Sequence, residues 1–149
     1  MEFGWINFFG LAIVTIMLIP NIIYAMHFRN AENKCTNKVI NFIEQIGRFA
    51  SLFLMFFPLG IWKFGFPNVF AMLIYAIGDG TLLLAYLIIW VLYFKKQSLS
   101  KAMALAIIPT CIFLISGLTL HHWFLVIAAI TFGVGHTYVT YQNNISLEE

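Results

Sequence analysis

Five runs of this chain are each long enough to cross a bilayer as a helix, and together they use up nearly all of it. A hydrocarbon core of roughly 30 Å takes about 20 apolar residues per helix. The runs cover residues 3–26, 39–62, 67–94, 102–120 and 122–141. Six acids and eight bases in 149 residues cannot coat a soluble surface, since a soluble domain is about a quarter charged. With lipid as the main solvent, each segment must pair its own backbone groups, and a helix does so. The chain is therefore expected to be all-α: a polytopic membrane protein, one integral domain over 1–149, folded as a five-transmembrane-helix bundle. No repeat, linker or low-complexity stretch divides it, and only the connection 27–38 is long. The first run has Glu2 and no Lys or Arg ahead of it, so it is expected to stay as a helix and not to act as a cleaved signal.

Charge sets the expected orientation. Five crossings put 27–38, 95–101 and the C-terminus on one side, with Arg29, Lys34, Lys38, Lys95, Lys96 and Lys101. The other side carries Lys63 alone. Basic residues collect in cytoplasmic loops. The N-terminus is thus expected outside and the C-terminus in the cytoplasm, in a cell membrane such as a bacterial inner membrane. Trp5, Trp62 and Trp123 then fall at the outer interface, and Tyr93 and Tyr141 at the inner one, as an aromatic belt requires.

Several classes are excluded. A net charge of +2 without a basic run gives no nucleic-acid partner. Cys35 and Cys111 form no ligand pattern and are read as unpaired thiols, and no metal or cofactor is expected. His121 and His122 lie roughly 20 Å along the fifth helix from His136, too far to share a metal with it. The chain has no H-E-x-x-H, G-x-S-x-G, Walker or C-x-x-C motif, so no catalytic residue is assigned. One Asp between two glycines is not the spaced-aspartate pattern of lipid-headgroup transferases. Size and helix count are similar to the translocator-protein family, but its Trp/Pro-rich motifs are absent and no family is assigned.

The remaining information sits in polar residues within the runs. An ionisable side chain there costs at least about 2.5–3.5 kcal/mol on insertion and tends to face protein or water. In the second run Asn37, Asn41, Glu44, Arg48 and Ser51 share one helical face. Glu44 and Arg48 are four apart in the favourable order for an ion pair. The alternative is an interfacial helix whose charges snorkel to water. Asp79, the chain's single Asp, lies some 18 Å from the start of its span or from a point 24 residues along it, beyond snorkelling reach. Gly78 and Gly80 flank it, allowing a neighbouring backbone close or loosening the helix. Desolvation favours its neutral form unless a donor such as Arg48 compensates. His136 shares a face with Ala129, Gly133 and Thr140, small residues that admit a packed neighbour. Pro109 frees a carbonyl beside Thr110, and Pro20 does the same beside Asn21.

Asn21, Glu44, Arg48, Asp79, Thr110 and His136 all map to the bilayer centre or the cytoplasmic half. They are the candidate substrate- or ion-binding residues of a polar pocket open to the cytoplasm. The favoured function is binding or transport of a small molecule or ion. A transporter with an odd helix number would need a second copy, so a homodimer is a conditional expectation. Two alternatives differ in class. One is a structural or regulatory subunit, in which these residues lock helices together. The other is a small membrane enzyme acting on a lipid or other amphiphile, with Glu44 and His136 as acid and base and Asp79 as orienter or metal ligand.

Overall fold

A computed structural model describes residues 3–28, 33–61 and 64–147. The described residues form helices and no strand. We label them α1 (Phe8–His27), α2 (Lys38–Leu54), α3 (Val69–Lys95), α4 (Leu99–Thr119) and α5 (Trp123–Asn144), with a 3₁₀ turn at Ile145–Leu147. Four of these, α1, α3, α4 and α5, are long and apolar enough to span a membrane. α2 is not among them. At 17 residues it is about 26 Å long, and Pro58 and Gly60 break the chain well before the expected end at 62. Gly60 takes a φ of 76°, which a side chain would resist.

Capping asparagines explain where helices begin. Asn7 accepts from the Gly10 amide at 3.1 Å. Asn37 accepts from Val39 and Ile40, and Asn68 accepts from Ala71. Each satisfies amides that no helical carbonyl reaches. At the other end of α3, Lys101 Nζ reaches back to the carbonyls of Leu92 and Lys96. A cation on free helix carbonyls stabilises a C-terminus.

The helices pack in the order α2, α5, α4, α3, α1, with α2 and α5 in the most extensive contact. α2 is amphipathic in the reverse sense from a soluble helix. Glu44, Gly47, Ser51 and Leu54 are buried, while Val39, Phe42, Ile46, Phe49 and Phe53 face outward. Outward-facing Ile19, Ile23, Leu84, Ile88, Ile127 and Val134 continue that apolar surface around the bundle. Such a surface is stable in lipid and not in water.

Lys34, Lys38, Lys95, Lys96 and Lys101 lie together at one end, called here the lysine-rich end; Arg29, Trp62 and Lys63 lie outside the described residues. Trp5 and Trp123 are exposed at the opposite end, as a belt residue should be. Tyr93 is not such a residue. It is 4% exposed and turned inward, donating to Asn144 Oδ1 at 3.0 Å. The turn between α4 and α5 forms part of the opposite end. There His121 adopts a left-handed φ of 53°, and the His122 ring is wholly buried with Nε2 3.2 Å from the Leu59 carbonyl. Burial holds the His122 imidazole below its usual range.

Two glycines set how closely α2 and α5 approach. A Cβ on Gly47 would stand 2.5 Å from the Phe132 amide nitrogen, and one on Gly135 2.8 Å from Glu44 Cα. Gly80 of α3, by contrast, would meet nothing within 4 Å. Gly135→Ala should therefore destabilise the bundle by about 1–3 kcal/mol through overpacking. Gly80→Ala should be neutral or stabilising by up to about 1 kcal/mol. Thermal unfolding of both variants in detergent measures the contrast.

Candidate functional site

The close crossing of α2 and α5 places Glu44 against His136. Glu44 has 6% of its side chain exposed and receives two donors at one oxygen. His136 Nδ1 is 2.9 Å from Oε1, and Arg48 Nη2 bonds the same atom. Because Oε1 is an acceptor, Nδ1 carries a proton. The 3.5 Å approach of Arg48 Nη2 to Nδ1 is then a contact between two donors and not a hydrogen bond. His136 Nε2 has no protein partner among the described residues. Phe132 stacks on the imidazole at 4.7 Å and fixes its plane. Arg48 keeps 46% of its side chain exposed. The carboxylate is thus held inside the bundle while the guanidinium still meets solvent, so the second helix does not send both charges outward by snorkelling.

These three side chains line a cavity of about 680 Å³ that opens at the lysine-rich end and is walled by all five helices. Asn21 lines it from α1, donating to the Met17 carbonyl and the Tyr86 hydroxyl, each at 2.7 Å. Tyr24, Trp90 and Tyr93 form an aromatic wall with centroids 5.4–5.9 Å apart. The rim is tied down. Asn143 Oδ1 accepts from the Lys34 and Cys35 amides at 2.8 and 3.2 Å, and Lys34 Nζ donates to Ser146 at 2.7 Å. Cys35 and Cys111 are both free thiols.

Two candidates lie elsewhere. Thr110 packs against Gly133 and donates to the Ala106 carbonyl at 3.2 Å, serving the α4–α5 contact and not the cavity. Asp79 is wholly buried and also does not line the cavity. Its Oδ2 accepts from Ser116 at 2.6 Å, close to the end of α4 remote from the lysines. One turn earlier Tyr75 accepts from Asn7, at the start of α1, at 3.3 Å. Arg48 therefore does not compensate Asp79, and the six polar residues do not form one pocket. The flanking glycines bring no backbone close: a Cβ on Gly78 would make only ordinary contact with Ile115. Instead the helix widens to a π-turn over Tyr75–Asp79.

Sequence reasoning missed Asn7, Tyr86 and Ser116. Each is a polar group in an apolar run, so each carried the same signal as Asn21 or Thr110. No protein-family model, curated protein or solved structure matches this chain.

The Asn21–Tyr86 bond supplies a direct check on the cavity wall. Asn21→Ala leaves the buried Tyr86 hydroxyl without a partner and should cost about 1–3 kcal/mol of stability. Tyr86→Phe added to it should cost less than the two single changes summed, by a margin that unfolding of all four forms reads as a coupling energy.

Proposed function

We propose that the chain binds a small polar molecule bearing an anionic group in the cavity at the lysine-rich end. We place that end in the cytoplasm and the bundle in a cell membrane, and we assign the chain to transport, paired with a second copy of itself. The observation that carries this reading is a wide cavity holding charged groups inside a bundle whose outer surface is apolar. Glu44 satisfies its charge with His136 and one Arg48 nitrogen, leaving the exposed part of the guanidinium to meet a carboxylate or phosphate. Lys34 stands at the mouth and adds to the attraction of anions. Asn21, Asn41, Gln45 and Asn143 offer neutral donors and acceptors that fix orientation, and the Tyr24–Trp90–Tyr93 wall offers apolar faces.

A second reading is favoured by one contact. With Nδ1 of His136 committed to Glu44, Nε2 is the ring nitrogen left for a ligand, the arrangement of an oriented acid–base group. A membrane enzyme on an amphiphile at the same face would use it. Turnover in detergent without any gradient, lost in His136→Ala, would favour the enzyme over the transporter.

A thermal-shift series with inorganic phosphate and small carboxylic and phosphoric acids tests binding. A ligand at about a hundred times its dissociation constant should stabilise by about 2.7 kcal/mol. The shift should vanish in Thr140→Trp, which fills the cavity, and weaken at least tenfold in apparent affinity in Arg48→Gln. Substitutions that lower stability alike with and without anions would indicate the structural role instead.

A further inference from the structure

The Asp79 cluster lies outside the proposed ligand cavity and has its own chemistry. Its carboxyl is fully enclosed, with one neutral donor, Ser116, on Oδ2 and no partner on Oδ1 among the described residues. The groups facing it are Tyr75 on its own helix and Ser116 on α4, with Asn7 of α1 joined through the Tyr75 hydroxyl and to the Met55 carbonyl at the end of α2. Tyr75 is the titratable member, and no described cation pairs with Asp79. A bare carboxylate in such a place carries a large desolvation cost, and a group of this kind takes up a proton instead. With the proton on Oδ2, the acid donates to Ser116 Oγ. The hydroxyl hydrogen of Ser116 is then free for a backbone carbonyl one turn back, as Thr110 and Thr119 donate in the same helix. The unpartnered Oδ1 becomes a neutral carbonyl oxygen, which costs far less than an unpartnered carboxylate oxygen.

The same residues close the end of the bundle remote from the lysines. Asn7, Tyr75, Asp79 and Ser116 link α1, α3 and α4 there, and the Asn7–Met55 contact adds the end of α2. A π-turn interrupts the regular ladder of α3 over Tyr75–Asp79, with Gly80 directly after it. We propose that Asp79 is a proton-binding site: its carboxyl carries a proton while this end is closed and releases it to water when the end opens. The proton leaves as hydronium and the carboxylate left behind is hydrated, so the ionised form is compatible only with the open end. This holds whatever the cavity binds.

Asp79 is the only Asp in the chain, so aspartate carrying ¹³C at its side-chain carboxyl labels one acid. The full chain in lipid nanodiscs should give a carboxylic-acid resonance near neutral pH, absent from Asp79→Asn and displaced in Ser116→Ala. Raising the external pH should convert it reversibly to a carboxylate resonance. Folded protein would then bind more protons than unfolded protein, so stability should fall as pH rises from mildly acidic to mildly alkaline. Asp79→Asn, which mimics the neutral acid, should lose that part of the slope. A carboxylate resonance already at neutral pH overturns the proposal, and one that moves on adding sodium overturns it in favour of a cation site. An acid resonance that persists until the chain unfolds overturns the release step, because the proton is then a fixed part of the structure.

Discussion

A carboxylate buried in a helical bundle must find its donors within the protein, and Glu44 finds one on its own helix, Arg48, and one across a helix crossing, His136. Gly47 and Gly135 let the backbones of α2 and α5 approach closely enough for His136 to reach Glu44 at 2.9 Å. Everything else about α2 follows from that contact. Glu44 and Ser51 turn inward, its Phe and Ile residues turn outward, and a helix of only 17 residues is held in the bundle. Removing one donor would leave charge unpaired inside the bundle, which costs more than the pair itself contributes.

The bundle is asymmetric along its axis for the same reason. At the lysine-rich end the helices separate around a cavity whose polar groups are partly exposed. At the other end Asn7, Tyr75, Asp79 and Ser116 are buried and bonded in two pairs, Asn7 with Tyr75 and Ser116 with Asp79. An open charged site and an enclosed polar one suit opposite demands. The first can admit a solute without reorganising, while the second resists water until its hydrogen bonds break.

Much of this was legible in the sequence. Four of the five apolar runs mark helices long enough to span, and the spacing of Glu44 and Ser51 predicts the buried face of α2. The asparagines that start three helices are ordinary capping residues. Depth along a helix was legible too, but depth is one coordinate of three. Asp79 and His136 each read as buried polar groups, and nothing in the local pattern says that one faces α4 and the other α2. Rotation and crossing are set by side chains from other helices, such as Phe132 and Ser116. The π-turn is equally invisible to periodicity, because it shifts the helical face within the run that defines it. Tyr93 shows the converse limit: its interfacial depth predicts a lipid anchor, but its hydroxyl has Asn144 to bond inside.

Solvent access tests the central claim, that the polar faces of α1, α2 and α5 enclose a wet cavity within an apolar shell. Cysteine can be placed singly at Asn21 and Thr140, which line the cavity, and at Ile22 and Tyr138, which lie at matching depths and face outward. Cys35 and Cys111 would be replaced by serine and the chain reconstituted in vesicles. A charged, membrane-impermeant thiol reagent added on the lysine-rich side should modify the first residue of each pair and spare the second. Equal reaction within the pairs, or protection of Asn21 and Thr140, would contradict the account.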